Sequence, residues 1–330
     1  MATPPTGAAE APATESAALI GAPTTGPAGP RGTVPTARAL ARARRVAAAK
    51  DTWAMFRQDR AGMVGAAILL VFVVVALFAP LIAPRELLDV TKQLESPRYA
   101  PPSLEHPLGT DNFGRELWAR MVWGARISLI VGIAATAMSM VIGTVMGLAA
   151  GHFSGLVGGV LMRIIDFFLV IPSLILAIVL SAVLDRGLLT VVIAIGVTSW
   201  AGTARVVRAQ TLSAESRLYV ERARVLGAGH WHIISKHLLP AVMPLVMANT
   251  TLTVGSAIIA ESTLAFLGLG GAGQQSWGTI LKNAMDASAT TAGYWWYILT
   301  PGIAIVIVVL AFTLVGRAFE AIANPTLRAR

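Results

Sequence analysis

Residues 61–83 read AGMVGAAILLVFVVVALFAPLIA and contain no charged side chain. An α-helix of about 20 apolar residues, rising about 1.5 Å per residue, crosses the ~30 Å hydrocarbon core of a bilayer. The run is long enough for this crossing. It also begins too far from the N-terminus, and is too long, to be the apolar part of a cleaved signal peptide. It therefore predicts a retained membrane-spanning helix.

Five further apolar runs of similar length follow along the chain. They lie at approximately 127–150, 164–184, 188–207, 241–266 and 298–318. Of the 330 residues, 55% are hydrophobic and only 13% are charged, and the mean hydropathy is +0.69, whereas soluble domains carry about 25% charged residues. We therefore predict an all-α integral membrane protein with six transmembrane helices. At the start of the third of these spans, Arg163 and Asp166 have the spacing of a pair on one helix face.

The basic residues give the orientation of these spans. The formal net charge is +9, and most of the 26 Lys and Arg residues precede the first span, lie between the fourth and fifth, or follow the last. Since positively charged loops stay in the cytoplasm, both termini are predicted to be cytoplasmic. Contact with anionic lipid headgroups accounts for the positive charge, so no nucleic acid is needed as a partner.

The spans divide the chain into four regions. Residues 1–50 are rich in Ala, Pro, Thr and Gly and predict a disordered, basic cytoplasmic tail. Residues 51–126 hold the first span and an external segment, 127–320 hold five spans in one transmembrane domain, and 321–330 form a cytoplasmic tail. The chain has no cysteine, which excludes disulfides, thiolate metal sites and a cysteine nucleophile.

The last part of the external segment, residues 114–126, has two interpretations. It carries Leu117, Trp118 and Trp123 among polar residues at helical spacing. Tryptophans beside a span favour a helix that lies in the membrane interface. The alternative is a helical turn packed directly on the spans, and the sequence leaves both open.

The connection between the fourth and fifth spans, residues 207–240, is polar and long, whereas bundle helices are commonly joined by about 2–8 residues. Gly227 can take the left-handed conformation that ends a helix. Small Ala223 permits close approach of a partner backbone, and Pro240 limits where the next helix begins. The spacing predicts a helix, a turn and a new helix start on the cytoplasmic side.

The same connection carries a recognisable motif. Its residues are Glu221, Arg222 and Ala223, then Gly227, and finally His237 to Pro240. This resembles the EAA motif of ABC importer permeases, with Arg222 in place of an alanine and His237 in place of an isoleucine. The resemblance implies a coupling helix that docks on an ATPase subunit. The implied coupling residues are Glu221, Arg222, Ala223, Gly227, Ala228, Gly229 and His230.

Three further stretches carry a narrower resemblance, which covers the chain from about residue 50 to its end. They run from His106 to Leu129, from Leu161 to Ser173 and from Ala260 to Gly278. They are similar to the C-type subunit of the dipeptide, oligopeptide and nickel family of ABC importer permeases. The structural motif residues are Gly109, Asp111, Gly114, Arg115, Asp166, Pro172, Pro240, Glu261 and Gly268. Arg317 and Asn324 stand where this family usually has acids.

This resemblance implies the type I ABC importer permease fold in a bacterial cell membrane, together with a set of partners. They are a B-type permease subunit forming a heterodimer, two ABC ATPase subunits, an extracytoplasmic peptide-binding protein and membrane lipid. The implied substrates are dipeptides or oligopeptides, with glutathione and nickel chelates as alternatives. The substrate-binding residues are not indicated.

The sequence also bears on the energy source. No lysine follows a glycine anywhere in the chain, so there is no P-loop. If the chain belongs to an ABC system, it is therefore not an enzyme. ATP and Mg are then expected on the partner ATPases, with no cofactor on this chain.

Several residues permit a second interpretation. Glu261, the one acid well inside a span, predicts either a substrate or gating contact or, more simply, an interhelical hydrogen bond. His230, His232 and His237 are not spaced to share one helix face, so no metal site is expected. Glycines every four residues over 143–159 indicate close helix packing, with the subunit interface as one location.

Two other functional classes remain as alternatives. An ion-coupled secondary transporter usually has acids or broken helices near the midplane, and the sequence offers only Glu261. A membrane enzyme needs catalytic side chains at one membrane depth, and no Ser/His/Asp or metal constellation has that placement. The importer interpretation is therefore preferred.

Overall fold

The computed structural model describes residues 47, 50–93, 96–271 and 273–323. The predicted disordered tail, residues 1–50, lies outside these residues except at Ala47 and Lys50, and 324–330 of the predicted C-terminal tail lie outside them too. Within the described part the chain is helical, with one isolated antiparallel bridge between Thr110 and Glu116. The predicted all-α class is confirmed.

The helices follow one another with mostly short connections. The main ones are α1 (Arg60–Leu77), α2 (Leu117–His152), α3 (Gly155–Val170), α4 (Ser173–Val183), α5 (Leu188–Thr198), α6 (Trp200–Glu215), α7 (Leu218–Val225), α8 (His230–Ile233), α9 (Leu239–Phe266), α10 (Trp277–Asp286) and α11 (Trp295–Ala323). A π-helical turn, Ile234–Leu238, joins α8 to α9. The connection between α1 and α2, which is predicted to be external and is called the external segment below, adds short helical pieces at Ala79–Ile82, Arg85–Leu88 and Val90–Gln93.

Five stretches among the described residues are long and apolar enough to cross a membrane. They are Arg60–Leu77, Leu117–His152, Leu188–Glu215, His230–Phe266 and Trp295–Ile322. The third predicted span forms α3 and α4, which pass the same test together but meet at an angle of 86°. The six predicted spans are therefore obtained when this bent pair counts as one.

The bend between α3 and α4 has its cause in Pro172. Proline has no amide hydrogen and disfavours helical backbone at the residue before it. Ile171 is accordingly extended, with φ −79° and ψ 124°. The continuous helix predicted over 164–184 is wrong in this respect. Asp166 also pairs with Arg205 of α6, at 2.8 Å, and not with the nearby arginine of its own helix.

Three glycines of α2 allow α6 to approach closely. A Cβ added to Gly143, Gly147 or Gly151 would lie 2.6–2.8 Å from atoms of α6. This part of the glycine series therefore packs two helices of the same chain, and is not a subunit interface. Gly155 and Gly159 lie past the end of α2, and an added Cβ there meets no described atom within 4 Å.

Two helices extend well beyond the apolar runs that predicted them. α2 begins at Leu117, and Leu117, Arg120 and Trp123 are buried. Of the two interpretations left open for residues 114–126, the structure therefore favours packing on the spans, since Leu117 to Arg126 form the first part of α2. α6 runs to Glu215, which shortens the connection predicted over 207–240 to residues 216–229. Apolar runs locate the membrane crossing, whereas a helix can continue beyond the run into segments that carry charged residues.

A buried ionic cluster fixes the external segment to the helices. The Oδ1 of Asp111 accepts the backbone N–H of Arg115 at 2.9 Å, and its Oδ2 accepts Arg115 Nε at 2.7 Å and Arg120 Nη1 at 2.9 Å. Arg120, which is fully buried, also donates to Tyr297 Oη at 3.0 Å and to Gln275 Oε1 at 3.0 Å. The cluster joins the segment before α2 to α2, to the loop before α10 and to α11.

Candidate functional site

Residues 216–229, where the resemblance places the coupling helix, are called the coupling segment below and form a helix that ends in a defined turn. After α7 the N–H of Gly227 donates to the carbonyl of Arg224 at 2.9 Å, and the N–H of Ala228 donates to that of Ala223 at 3.0 Å. This pair of hydrogen bonds needs a left-handed residue after the helix, and Gly227 has a φ of +83°. The motif glycine is therefore required by the turn.

One face of α7 is fixed to the helices beneath it. Val220 is fully buried and belongs to an apolar cluster with Val207 and Ala214 of α6, Leu148 of α2 and Ile233 of α8. Close-packed side chains transmit displacement because they leave little free volume. A movement of α7 is thus expected to move the ends of α2, α6 and the helix that continues into α9.

The other face of the coupling segment is open. Leu218, Val225 and Leu226 expose 69%, 83% and 86% of their surface, and Trp231 of α8 exposes 79%. Leu218, Val225 and Leu226 lie outside the stretches that can cross a membrane, so their exposure indicates a protein-binding surface. Most of the predicted coupling residues lie on this surface. Glu221, Arg222, Gly227, Gly229 and His230 are exposed, whereas Ala223 and Ala228 are half-buried.

A polar network ties the coupling segment to the end of α2. The Nδ1 of His152, the last residue of α2, pairs with Oε1 of Glu215, and its Nε2 lies 2.9 Å from Nδ1 of His230. The second carboxylate oxygen of Glu215 pairs with Arg224 of α7. The His152 side chain is only 1% exposed. Glu215 therefore joins the ends of α2, α6 and α7.

The three histidines near the motif are divided between two contacts. The rings of His232 and His237 have centroids 5.7 Å apart, whereas His230 contacts His152. In the described part of the chain, no group of three or more His, Cys, Asp or Glu side chains is placed to hold a metal.

Glu261 makes an interhelical hydrogen bond. Ser128 Oγ of α2 donates to Glu261 Oε2 of α9 at 2.9 Å, and Glu261 is 3% exposed. The backbone N–H of Trp277, the first residue of α10, donates to the same Ser128 Oγ at 3.4 Å. The acid thus connects α2 to α9 and, through the serine, to α10.

The remaining motif residues shape turns and helix ends. Gly109 and Gly114 have φ of +80° and +79° on either side of buried Asp111. Gly268 ends α9 with a φ of +81°, and Pro240 lies in its first turn. These residues support the fold and lie apart from the coupling segment in the sequence.

His152, Glu215 and Arg224 belong to the site but were not predicted from the sequence. His152 and Glu215 are 63 positions apart, so no local spacing relates them. The sequence held one weaker signal: His152 and Glu215 are ionisable residues that follow the apolar runs 127–150 and 188–207.

Comparison with known proteins identifies the class. Residues 143–329 match the family model described as "Binding-protein-dependent transport system inner membrane component". Residues 48–102 match the N-terminal TM domain of oligopeptide transport permease C. The chain belongs to the family of binding-protein-dependent transport system inner membrane components. It is a multi-pass membrane protein and a permease subunit of an ABC transporter. In such a transporter separate subunits hydrolyse ATP, so this chain is not itself an enzyme.

Named relatives cover most of the chain. The dipeptide transport system permease protein DppC of Bacillus subtilis is 36% identical over 84% of this chain and 86% of its own length. The oligopeptide permease OppC of the same organism is 36% identical, over 84% and 90%. The di/tripeptide permease DppC of Pseudomonas aeruginosa is 35% identical, over 84% and 92%. The family and permease class predicted from the sequence are confirmed.

A solved structure shows a weaker likeness. A chain from inward-facing MetNI, a methionine ABC transporter, is 20% identical, covers 63% of this chain and 96% of its own length, and has a TM-score of 0.48. This likeness is too weak to bear on function.

Proposed function

We propose that this chain is the C-type permease subunit of an importer that takes up dipeptides or oligopeptides at the expense of ATP. The names of its relatives, which transport dipeptides, tripeptides and oligopeptides, support the substrate class. In this proposal it pairs with a B-type permease subunit, two ATPases and an extracytoplasmic peptide-binding protein. ATP and Mg belong to the ATPases.

The two faces of the coupling segment carry the proposal. Its outer face exposes Leu218, Val225 and Leu226, and its inner face is fixed through Val220 and Glu215 to the helices that cross the membrane. A partner that binds the outer face and moves therefore moves the helix ends. This is the mechanical requirement for driving transport by ATP hydrolysis on another chain.

The proposed orientation places the coupling segment and both termini in the cytoplasm. The segment and its flanks carry Arg217, Arg222, Arg224 and Lys236, and positive charge favours the cytoplasmic side. Closure of two ATPases on ATP then pushes the coupling segments of the two permeases. The pair rocks from inward-facing to outward-facing, and the binding protein delivers peptide to the shared cavity.

Uptake by the assembled transporter in proteoliposomes tests the function. We expect uptake of a labelled dipeptide to require both ATP and the binding protein. Uptake that persists without ATP and stops when a proton gradient is collapsed would instead support an ion-coupled transporter, a class to which the bent α3–α4 pair is also suited. If the transporter takes up a nickel chelate or glutathione and not peptides, the proposed substrate is wrong but the proposed mechanism stands.

The turn after α7 gives a prediction about coupling. Gly227→Val places a β-branched residue at φ +83°, where left-handed backbone costs an L-residue roughly 1–2 kcal/mol. An added Cβ meets no described atom within 4 Å, so membrane insertion is expected to be normal. We expect ATP-driven uptake to fall about tenfold, the equivalent of about 1.4 kcal/mol.

A matched control is available outside the coupling segment. Gly187, before α5, has φ −166° and ψ 162°, which valine adopts readily, and an added Cβ there meets only Thr190 Oγ1, at 3.9 Å. Gly187→Val is therefore expected to keep most of the uptake. Equal uptake by the two variants would contradict the role of the turn.

A further inference from the structure

The side chains of His152 and His230 join the end of α2 to the start of α8. The Nε2 of His152 lies 2.9 Å from Nδ1 of His230, and this hydrogen bond is called the histidine contact below. α8 continues through the π-helical turn into α9. The contact therefore holds the helix that follows the motif turn to the end of a membrane-spanning helix.

The two histidines differ in their access to water. The His152 side chain is 1% exposed, and its Nδ1 pairs with Oε1 of Glu215. His230 is exposed, and its ring lies beside that of Phe153, with centroids 5.5 Å apart. A proton from solvent therefore reaches the pair at His230.

The histidine contact tolerates one positive charge but not two. A hydrogen bond between two imidazoles needs an N–H on one ring and a lone pair on the other. A neutral imidazole has one of each, whereas an imidazolium has an N–H on both nitrogens. The contact therefore persists when both rings are neutral or when one ring is charged. When both are charged, two N–H groups face each other across 2.9 Å and neither nitrogen can accept.

The charged groups around the pair also oppose a second positive charge. Those that face it are Glu215 and Arg208 from α6, Arg224 from α7 and, across the cleft that includes Phe153, Arg163 and Asp166 from α3. Both acids already have an arginine partner, since Glu215 pairs with Arg224 and Asp166 with Arg205. A second imidazolium would therefore add to an excess of positive charge.

We propose that the histidine contact makes coupling sensitive to pH. It holds α8 to α2 at neutral and alkaline pH, and it opens when acidification charges both rings. Histidine side chains ordinarily change charge between about pH 5 and 8. The inference rests on the proposed function, in which movement of the coupling segment drives transport, and adds its regulation. Acidification on the side of the coupling segment is then expected to lower the uptake obtained per ATP hydrolysed.

Two variants of α8 give a matched pair for the test. In His230→Asn the amide can turn either its N–H or its carbonyl oxygen toward His152, and it does not titrate. It can therefore pair with His152 whether that ring is neutral or charged. His232→Asn is the control, because His232 is exposed on the same helix and its ring lies beside that of His237.

Uptake and ATP hydrolysis in the assembled transporter test the effect on coupling. Between about pH 7.5 and 5.5 we expect uptake per ATP to fall about fivefold in the wild type and in His232→Asn, in keeping with the loss of one hydrogen bond. In His230→Asn we expect it to fall less than about twofold. The three transporters have the same ATPases, so a general effect of pH on hydrolysis is common to them. An equal fall in His230→Asn and the wild type, or no fall in the wild type, would overturn the proposal.

A distance measurement tests the contact without transport. The chain has no cysteine, so Leu156→Cys and Lys236→Cys give two thiols for spin labels. Leu156 is exposed at the start of α3, just after α2, and Lys236 is exposed in the π-helical turn after α8. We expect the labels to move apart on acidification in the otherwise wild-type chain, and to keep their distance when His230→Asn is added.

The two ways of failing are distinct. Absence of ATP-driven peptide uptake by the wild-type transporter at neutral pH would refute the proposed function, and the label distance would still test the histidine contact. Normal uptake, with a label distance that is the same at both pH values, would refute the pH-sensitive contact alone.

Discussion

Replacing Arg120 by leucine is expected to destabilise the chain by about 3–5 kcal/mol, the usual effect of removing one partner from a buried ion pair. Arg120 has no exposed surface and is bonded to Asp111, Tyr297 and Gln275. Its loss leaves these groups buried with fewer partners. We expect little folded transporter and a strongly lowered midpoint temperature in detergent.

Two further variants show whether the effect comes from the guanidinium geometry of Arg120 and whether it requires a buried site. Arg120→Lys keeps the positive charge but loses the planar fork that contacts three side chains, so an intermediate stability is expected. Lys92→Leu removes a charge that pairs with Glu86 at the surface, at 3.0 Å with 53% of the lysine side chain exposed, and surface pairs contribute about 0–1 kcal/mol. If Arg120→Leu were as stable as Lys92→Leu, the buried cluster would not be what fixes the external segment.

Replacing Glu215 by glutamine is expected to weaken the coupling of ATP hydrolysis to peptide uptake. The carboxylate pairs with His152 through one oxygen and with Arg224 through the other, and hydrogen bonds to charged groups contribute about 1.5–3 kcal/mol each. Without the charge, α7 is held to α6 and α2 mainly by Val220 and its apolar neighbours. We expect uptake per ATP hydrolysed to fall roughly 10–100-fold.

The control for this variant is the same substitution at an exposed glutamate. Glu320 lies in the exposed last part of α11, and Glu320→Gln is expected to leave coupling unchanged. Peptide uptake and ATP hydrolysis are measured in the same proteoliposomes. A Glu215→Gln transporter with wild-type coupling would show that the network is not needed to transmit movement.

The sequence predicted the spans because bilayer thickness sets the length of an apolar run. It did not predict helix ends, since Leu117 to Arg126, which holds two arginines, and the polar stretch Arg208 to Glu215 continue their helices beyond the apolar runs. The 86° bend was missed although Pro172 was noted as a motif residue. Proline marks a helix boundary, but the angle between the two helices is set by their packing.

The features of the candidate site that depend on neighbouring residues were predictable from the sequence. The helix, the turn at Gly227 and the new helix start all follow from neighbouring residues. The contacts that attach the coupling segment to the spans were not predictable, because His152 approaches Glu215 only through the packing of α2 on α6.

Site-directed cross-linking tests the central claim, that the coupling segment is the contact with the ATPases. Arg222→Cys gives this cysteine-free chain one thiol on the exposed side of α7, to which a photoactivatable cross-linker is attached in the assembled transporter. Leu104→Cys, fully exposed in the external segment, is the control. We predict that the adduct from position 222 contains an ATPase subunit and that the adduct from position 104 does not. An ATPase adduct from position 104, or none from position 222, would contradict the account.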